Sequence, residues 1–158
     1  MAINFTPKVG QVLECNYGNY TKDTEGKVIS GFDFHIPPEM VKNRLVVVLH
    51  GRLGGGRLVV PLSTTYDKEK TAKKIHVEVD KEEIQALSYF DQQTRWAKAD
   101  LIQQVSMKRL NRPRRADRGD AEITLDRALV EKIQRAVIKA IGAASLLPTT
   151  APVGEPKP

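Results

Sequence analysis

The sequence contains a single cysteine, Cys15, and this scarcity excludes several kinds of chemistry. One thiol cannot form an intrachain disulfide, nor can it supply the paired cysteines of common zinc sites. The longest strongly apolar run, residues 45–49, is far shorter than the ~20 residues that a membrane-spanning helix needs. Residues 1–8 lack the apolar centre of a signal peptide. These absences predict a cytoplasmic protein with no metal site, no cofactor and no membrane segment.

Positive charge is the compositional feature that points most clearly to a partner. The net charge is +6 and the pI is about 9.5. Lysine and arginine favour polyanions because their binding releases counterions from phosphates. Between Lys108 and Arg118, six basic residues accompany one acid, Asp117. This segment is either a solvated basic loop or a surface that contacts nucleic acid.

Hydrophobic periodicity predicts a mainly β protein with added helix. Alternation predicts half-buried strands, and continuous β-branched runs predict strands buried on both faces. The predicted strands are residues 11–17, 44–49, 57–62 and 75–79, with one or two more within 96–107. In the strand 75–79, His76 falls on the polar face, which is usually exposed to solvent. Five or six short strands and a closing helix predict one domain over residues 1–147, built as a small barrel or half-open sheet.

The segments between these strands carry turn and helix signals. Residues 18–42 are long and polar, which predicts a loop or ragged hairpin, and the four glycines of 51–56 predict a hairpin turn. Asp80 with Glu83 resembles a capping box and predicts a short helix over 81–89. A helix with one apolar face is predicted over 125–146. Its apolar stripe consists of Leu129, Ile133, Val137 and Ile141. The proline-rich residues 148–158 are predicted to be a disordered tail.

Several segments, in order and with suitable spacing, resemble one known family. Arg44 opens a valine-rich strand five residues after Glu39, and the next strand ends in three hydroxyl residues, 63–65. The segments that carry the resemblance are residues 8–13, 39–49, 59–65, 75–80 and 99–110. Taken together, they resemble the MazF/PemK/Kid family of type II toxin–antitoxin mRNA interferase toxins.

The resemblance implies a fold, a reaction and a set of partners. The family fold is a small SH3-like β-barrel, here with a C-terminal amphipathic helix, and it usually forms a homodimer that an antitoxin protein binds. Its members cleave single-stranded RNA without a metal, since the ribose 2′-hydroxyl attacks the adjacent phosphate. The family's catalytic arginine corresponds to Arg44, its hydroxyl residue to Ser63 with Thr64 next, and its acidic residue to Glu39. The family usually has threonine at the position of Ser63, and proline where this chain has Leu45.

These residue types suit phosphodiester cleavage. A guanidinium can hold two phosphate oxygens with paired charge-assisted hydrogen bonds, and a hydroxyl can donate another. Because the nucleophile belongs to the substrate, no protein nucleophile or metal is required. The predicted catalytic residues are Arg44, Ser63, Thr64 and Glu39. The predicted RNA-binding residues are Lys42, His50, Arg52, Arg112, Arg114 and Arg115.

Other interpretations compete with this one. Arg44 could form a structural ion pair with Glu39, and Ser63 and Thr64 could be ordinary strand-end residues. The three histidines suggest a two-histidine ribonuclease, which we consider less favoured than the arginine scheme. The chain could instead be a non-catalytic nucleic-acid-binding barrel, an accessory protein of the same fold, or a gyrase-poisoning toxin. The proline-rich tail after the last helix argues against the gyrase poison, because such toxins use the end of that helix.

Overall fold

The structure is a computed structural model that describes residues 2–149. Its strands are β1 Gln11–Asn16, β2 Asn43–Leu53, β3 Gly56–Ser63, β4 His76–Val79, β5 Arg95–Lys98, β6 Gln103–Val105, β7 Leu110–Asn111 and β8 Ile123–Thr124. Its α-helices are α1 Lys68–Ala72 and α2 Arg127–Ala140. Short 3-10 helices span Lys81–Glu83, Ala99–Leu101, Met107–Arg109 and Ala144–Leu146. The prediction of a mainly β protein is confirmed, while residues 150–158 of the predicted tail lie outside the described residues.

The strands form one antiparallel sheet with a continuous path of neighbours. Its order is β4-β5-β3-β2-β1-β7, while β6 adds to β3 and β8 adds to β1. Within residues 2–149, the two ends of the path, β4 and β7, do not pair with each other. Neighbouring strands therefore bring the end of β1, the start of β2 and the end of β3 to the same edge of the sheet.

Strand β2 is buried on both faces and divides the core. Its Leu45 and Val47 pack in one cluster, with Val130 and Ile133 of α2. Its Val46 and Val48 pack in a second cluster on the opposite face, around Tyr17 and Leu110. The β-branched run of the sequence therefore predicted this central strand correctly.

The hairpin between β2 and β3 is tighter than the glycines suggested. Strand β2 continues through Leu53, so the turn is Gly54-Gly55, where both residues have positive φ, 56° and 81°. Gly51, predicted within the turn, lies inside β2. A Cβ at position 51 would overlap the carbonyl oxygen of Pro7. The glycine is needed because another segment approaches its backbone closely.

Both predicted helices are shorter in the structure. The helix predicted over 81–89 is only the 3-10 turn Lys81–Glu83, in which the Asp80 carboxylate accepts from the Glu82 N–H rather than from residue 83. Helix α2 begins after Asp126, whose carboxylate accepts from the Leu129 N–H at 2.8 Å, and it ends before Gly142, at φ +82°. No helix within residues 2–149 is long and apolar enough to cross a membrane.

The predicted apolar stripe of α2 is confirmed at three of its four positions. Ile133 is buried, and the partly buried Leu129 and Val137 pack against the same core cluster. The helix also buries Val130 and Ala136. Ile141, predicted to face the core, lies just after the helix and is 68% exposed. The apolar face therefore ends one turn earlier than the sequence pattern suggested, because the helix itself ends at Ala140.

Candidate active site

Arg44 lies at the start of β2, directly opposite Cys15 of β1. Alternation along the strand places it on the same face as Val46 and Val48. Its side chain is half-buried, and its Nε donates to the carbonyl oxygen of Val41 at 3.2 Å. Within residues 2–149 no carboxylate forms an ion pair with it, so the alternative of a structural pair with Glu39 has no support. The guanidinium charge is available to an external anion.

Ser63 ends β3 at the same edge of the sheet. The pairing of β2 with β3 ends with Val46 opposite Pro61, and the same register continued by two residues would set Arg44 opposite Ser63. The Ser63 oxygen accepts from the Thr65 N–H at 3.1 Å, which leaves its own hydrogen free to donate. Thr64 follows and is exposed. The local turn geometry is compatible with a role in phosphate binding.

Side chains from β1, β2, β3 and β5 form a row across the sheet that includes Arg44 and Ser63. Cys15 is paired with Arg44, and Ser63 is paired with Trp96 of β5. Directly opposite residues in antiparallel strands point to the same face. The Trp96 ring contacts Tyr66, with ring centroids 5.2 Å apart, and Tyr66 is 56% exposed. The sequence pattern did not single out this aromatic pair, because the pairing of Trp96 with Ser63 depends on register between distant segments.

Two further basic residues reach the end of β1. A Cβ at Gly18 would lie 3.4 Å from Nε2 of His35 and 3.7 Å from Nη1 of Arg109, so both side chains cover this glycine. The Arg109 guanidinium also donates to the carbonyl oxygen of Asn16 at 2.9 Å. Lys42, predicted to bind RNA, lies next to the same glycine, because its backbone N–H donates to the carbonyl oxygen of Gly18 at 2.6 Å. His35 was not predicted as a site residue, and Arg109 was noted only within the basic segment 108–118, since no spacing in the sequence shows that the two meet at the end of β1.

Glu39 is held within its own loop. Its carboxylate accepts a hydrogen bond from the Ile36 N–H, and its carbonyl oxygen accepts from the Tyr20 hydroxyl at 2.8 Å. The side chain is exposed, and within residues 2–149 it forms no ion pair. These contacts fix the turn before β2 and leave the second carboxylate oxygen open.

The buried polar groups next to Arg44 are poorly suited to act as nucleophiles. Cys15 is completely buried, and burial raises the pKa of its thiol to about 12, although the nearby Arg109 opposes this shift. Burial also raises the pKa of the Tyr17 hydroxyl far above its usual range. Both groups remain protonated near neutral pH. Neither the Cys15 thiol nor the Tyr17 hydroxyl is therefore suited to attack a phosphate near neutral pH.

The predicted RNA-binding residues of the hairpin lie far from Arg44. His50 and Arg52 are exposed near the turn of the β2–β3 hairpin, and Nδ1 of His50 accepts from the Arg52 N–H at 3.1 Å. Six residues of strand separate His50 from Arg44, which corresponds to roughly 20 Å. The structure does not bring these two groups together, and one nucleotide cannot contact both.

The three predicted arginines of the basic segment differ in their surroundings. Arg112 lies 4.5 Å from the centre of the Phe5 ring and 3.2 Å from the Glu122 carboxylate, so it has a structural role. Arg115 makes two hydrogen bonds to Asp117, of 2.9 and 2.8 Å. Arg114 is exposed and forms no ion pair within residues 2–149. Of the three, Arg114 has the charge most readily available to a phosphate.

His76 does not face solvent as predicted. It is 3% exposed, and its Nε2 lies 2.8 Å from Oδ1 of Asp100. Asp100 comes from the 3-10 turn after β5, and the alternation within β4 could not indicate this partner. Among residues 2–149 no group of three or more histidine, cysteine, aspartate or glutamate side chains has the arrangement of a metal site.

The described residues thus form a mainly β antiparallel protein that combines an arginine without an acidic partner, a serine hydroxyl and an aromatic pair at one sheet edge. The sequence profile of the PemK-like, MazF-like toxins of type II toxin–antitoxin systems matches residues 9–141. The chain belongs to this family. The resemblance found in the sequence is therefore confirmed.

Related proteins extend the similarity over most of the chain. The Escherichia coli (strain K12) protein YifN is 56% identical, covering 93% of this chain and 99% of its own length. A Haemophilus influenzae protein is 47% identical, covering 89% and 94%. The structure of MazF from Deinococcus radiodurans covers 88% of this chain and 99% of its own, with a TM-score of 0.50 and 11% identity, which indicates a shared fold. A mycobacterial endoribonuclease covers 87% and 93%, with a TM-score of 0.49 and 18% identity.

Proposed function

We propose that this protein is an mRNA interferase toxin that cleaves single-stranded RNA without a metal, through attack by the ribose 2′-hydroxyl. The proposal is carried by Arg44, which has no acidic partner within residues 2–149 and which the β2–β3 register, continued two residues past its last pair, would set opposite Ser63. Family membership and the fold shared with a MazF structure support it. The proposal includes an SH3-like barrel, a homodimer and an antitoxin protein as partner, as is usual for this family.

The phosphate is bound at the edge where β2 begins and β3 ends. Arg44 holds two nonbridging oxygens with paired charge-assisted hydrogen bonds, and Ser63 and Thr64 donate from the other side. Negative charge on these oxygens increases in the transition state, so fixed donors stabilise it more than the ground state. Both groups sit on central strands, which keeps the donors in place during the reaction.

Cleavage then needs two proton transfers. The 2′-oxygen forms a bond to phosphorus and gives its proton to the open carboxylate oxygen of Glu39, which the loop before β2 supplies. The bond from phosphorus to the 5′-oxygen breaks, and that oxygen takes up a proton from solvent water to become a hydroxyl. The products are a 2′,3′-cyclic phosphate and a 5′-hydroxyl end.

The rest of the RNA strand follows the charged and aromatic surfaces around the phosphate. Tyr66 and Trp96 lie beside Ser63 and offer a stacking surface for a base. Lys42 and Arg109 lie on the opposite side of Arg44, next to Gly18, and contact a neighbouring phosphate. The outlying predicted RNA-binding residues, His50, Arg52, Arg112, Arg114 and Arg115, would contact only more distant nucleotides.

The decisive experiment incubates the purified protein with single-stranded RNA in EDTA and identifies the fragment ends. Cleavage that leaves cyclic phosphate and 5′-hydroxyl ends, and that is lost in Arg44→Ala, is the expected result. RNA binding without cleavage would instead identify a non-catalytic RNA-binding barrel of the same fold. Cleavage that EDTA abolishes would contradict the metal-independent mechanism.

A further inference from the structure

We propose that the site assigned to RNA also binds a free nucleoside 3′,5′-bisphosphate, with Arg44 at one phosphate and Arg109 at the other. The inference rests on the phosphate position of the proposed function and extends it to a small ligand that would inhibit cleavage. It is carried by two half-buried guanidinium groups at the end of β1, neither of which has an acidic partner within residues 2–149.

The two arginines reach the end of β1 from opposite sides. Strand β1 lies between β2 and β7 in the sheet. Arg44 near the start of β2 is paired with Cys15, and Leu110 of β7 is paired with the same cysteine from the other side. Arg109 directly precedes Leu110. Neighbouring strands lie roughly 5 Å apart, so the two arginine backbones are separated by roughly 10 Å across β1. Long arginine side chains can converge over this distance.

The contacts of both side chains direct the guanidinium groups toward Gly18. The Arg44 Nε donates to the carbonyl oxygen of Val41 at 3.2 Å, so this side chain folds back toward the start of its strand. The next N–H along the chain, that of Lys42, donates to the carbonyl oxygen of Gly18 at 2.6 Å. Nη1 of Arg109 lies 3.7 Å from the position that a Cβ would take at Gly18. A single backbone hydrogen bond therefore joins the places where the two cations are held.

An anion is the group that both side chains lack. A guanidinium remains protonated at any physiological pH, so its charge does not depend on the surroundings. The identified hydrogen bonds go to neutral carbonyl oxygens, of Val41 for Arg44 and of Asn16 for Arg109 at 2.9 Å. Glu39, the acid of the adjoining loop, accepts from the Ile36 N–H instead. A half-buried charge without a counter-ion costs free energy, and the remaining N–H groups suit phosphate oxygens.

Two separated cations select a ligand with two separated phosphates. The ribose of a nucleoside 3′,5′-bisphosphate holds its phosphates apart, as in an RNA strand, whereas the phosphates of a nucleoside diphosphate share one oxygen. With one phosphate at Arg44 and the Ser63 hydroxyl, the ribose spans the end of β1 and the second phosphate reaches Arg109. This ligand reproduces one nucleotide of the proposed substrate with both of its phosphates. It lacks the neighbouring nucleotide that would leave, so it would occupy the site without being cleaved.

Isothermal titration calorimetry of the full chain in EDTA tests this binding. The ligands are adenosine 3′,5′-bisphosphate, adenosine 5′-diphosphate, whose similar charge lies on adjacent phosphates, and adenosine 5′-monophosphate. We expect the bisphosphate to have a Kd lower by about tenfold or more than either of the others, because two linked contacts reinforce each other. Equal affinity for the bisphosphate and the diphosphate would show attraction by charge alone and overturn the proposal. Single-stranded RNA should displace the bisphosphate, and simultaneous binding of both would also overturn it.

Substitution of Arg109 tests whether it holds the second phosphate. Arg109→Gln should raise the Kd of the bisphosphate by about tenfold, to that of the monophosphate, and leave the Kd of the monophosphate nearly unchanged. Equal losses for both ligands would show that Arg109 acts only through the fold of the site and contradict the proposal. Arg127→Gln, an exposed arginine on α2, is the matched control and should change neither Kd.

The same measurements separate this inference from the proposed cleavage. Preferred binding of the bisphosphate by a protein that does not cleave RNA would support the two-phosphate site and contradict the catalytic role of Arg44. Cleavage of RNA without a preference for the bisphosphate would support the catalytic role and overturn the two-phosphate site. The comparison of ligands needs only the wild-type chain, so it stands even where Arg109→Gln fails to fold.

Discussion

Nε2 of His76 lies 2.8 Å from Oδ1 of Asp100, while Nζ of Lys70 lies 2.6 Å from the other oxygen of the same carboxylate. Asp100 thus connects the start of β4 with α1 and with the turn that follows β5. Its side chain is 22% exposed and that of His76 only 2%. The contact to His76 is therefore shielded from solvent, whereas the contact to the exposed Lys70 is screened.

We expect Asp100→Asn to lower the free energy of unfolding by about 1.5–3 kcal/mol at neutral pH, the usual contribution of a hydrogen bond to a charged group. Chemical denaturation followed by Trp96 fluorescence measures this change. Lys70→Gln is the matched control, because an exposed ion pair typically contributes less than about 1 kcal/mol. Equal losses in the two variants would show that the His76 contact adds nothing to stability.

The pH dependence of this difference follows from the pKa of Asp100. Burial raises the pKa of the carboxyl, but the contacts with Lys70 and His76 outweigh burial and lower it overall. A lowered pKa in the folded state adds stability above the unfolded value of about 3.9, and that stability disappears as pH falls through the folded pKa. The difference in free energy of unfolding between wild type and Asp100→Asn should therefore be constant above about pH 5 and shrink in acid. A gap that widens in acid would contradict the lowered pKa.

The aromatic pair beside Ser63 gives an optical test of RNA binding. The chain has one tryptophan, Trp96, so its emission reports directly on this site. A base stacked there should change the emission when RNA is added to an Arg44→Ala variant, in which we expect cleavage to be slow. Tyr66→Ala should weaken binding by about 1–3 kcal/mol, the scale for one stacked base. Tyr89→Ala, which removes an exposed tyrosine outside the row, should have no effect.

The basic segment can be tested through the salt dependence of binding. Arg114→Ser should reduce the slope of log affinity against log salt by about 0.7, the value for one phosphate contact to a single strand. Arg112→Ser should instead lower the melting temperature, because Arg112 packs on Phe5 and pairs with Glu122. An unchanged slope in Arg114→Ser would place the RNA elsewhere on the surface.

The sequence predicted those parts of the fold that local patterns determine. The β-branched runs gave β2 and β3, and alternation gave β1, because burial on one or two faces is visible within a single segment. Gly51 was misassigned to a turn, since its role depends on the approach of Pro7 from elsewhere in the chain. His76 was misassigned to solvent for the same reason, because Asp100 lies 24 residues away.

The candidate site was predictable only in part. Arg44 and Ser63 were selected by resemblance to a family, and the register of β2 and β3 places them at the same edge. Trp96, His35 and Arg109 were not selected, because no spacing in the sequence indicates which strands and loops meet at this edge. Their roles in RNA binding, like those of Arg44 and Ser63 in cleavage, remain predictions that kinetics must test.

The central prediction concerns the opposed pair, Arg44 and Ser63. Arg44→Ala should lower the rate of RNA cleavage by two or more orders of magnitude, the scale for the loss of one preorganised donor. Arg44→Lys should recover only part of the rate, because an ammonium cannot make the paired contact with two oxygens. Single-turnover kinetics in EDTA, together with the melting temperature of each variant, separates loss of catalysis from loss of folding.

Ser63 should contribute less to the cleavage rate than Arg44, and the effect of each Ser63 substitution depends on whether the hydroxyl is kept. Ser63→Ala removes a neutral donor and the acceptor for the Thr65 N–H, so cleavage should fall by less than in Arg44→Ala. Ser63→Thr keeps the hydroxyl and should leave the cleavage rate nearly unchanged, whereas Thr64→Ala tests whether the Thr64 hydroxyl also binds the phosphate.

Cys15→Ala, opposite Arg44 on the other neighbouring strand, should leave the cleavage rate within about threefold, because a buried thiol with a pKa of about 12 supplies no nucleophile. An Arg44→Ala variant that folds normally and cleaves RNA at the wild-type rate would show that the active site lies elsewhere.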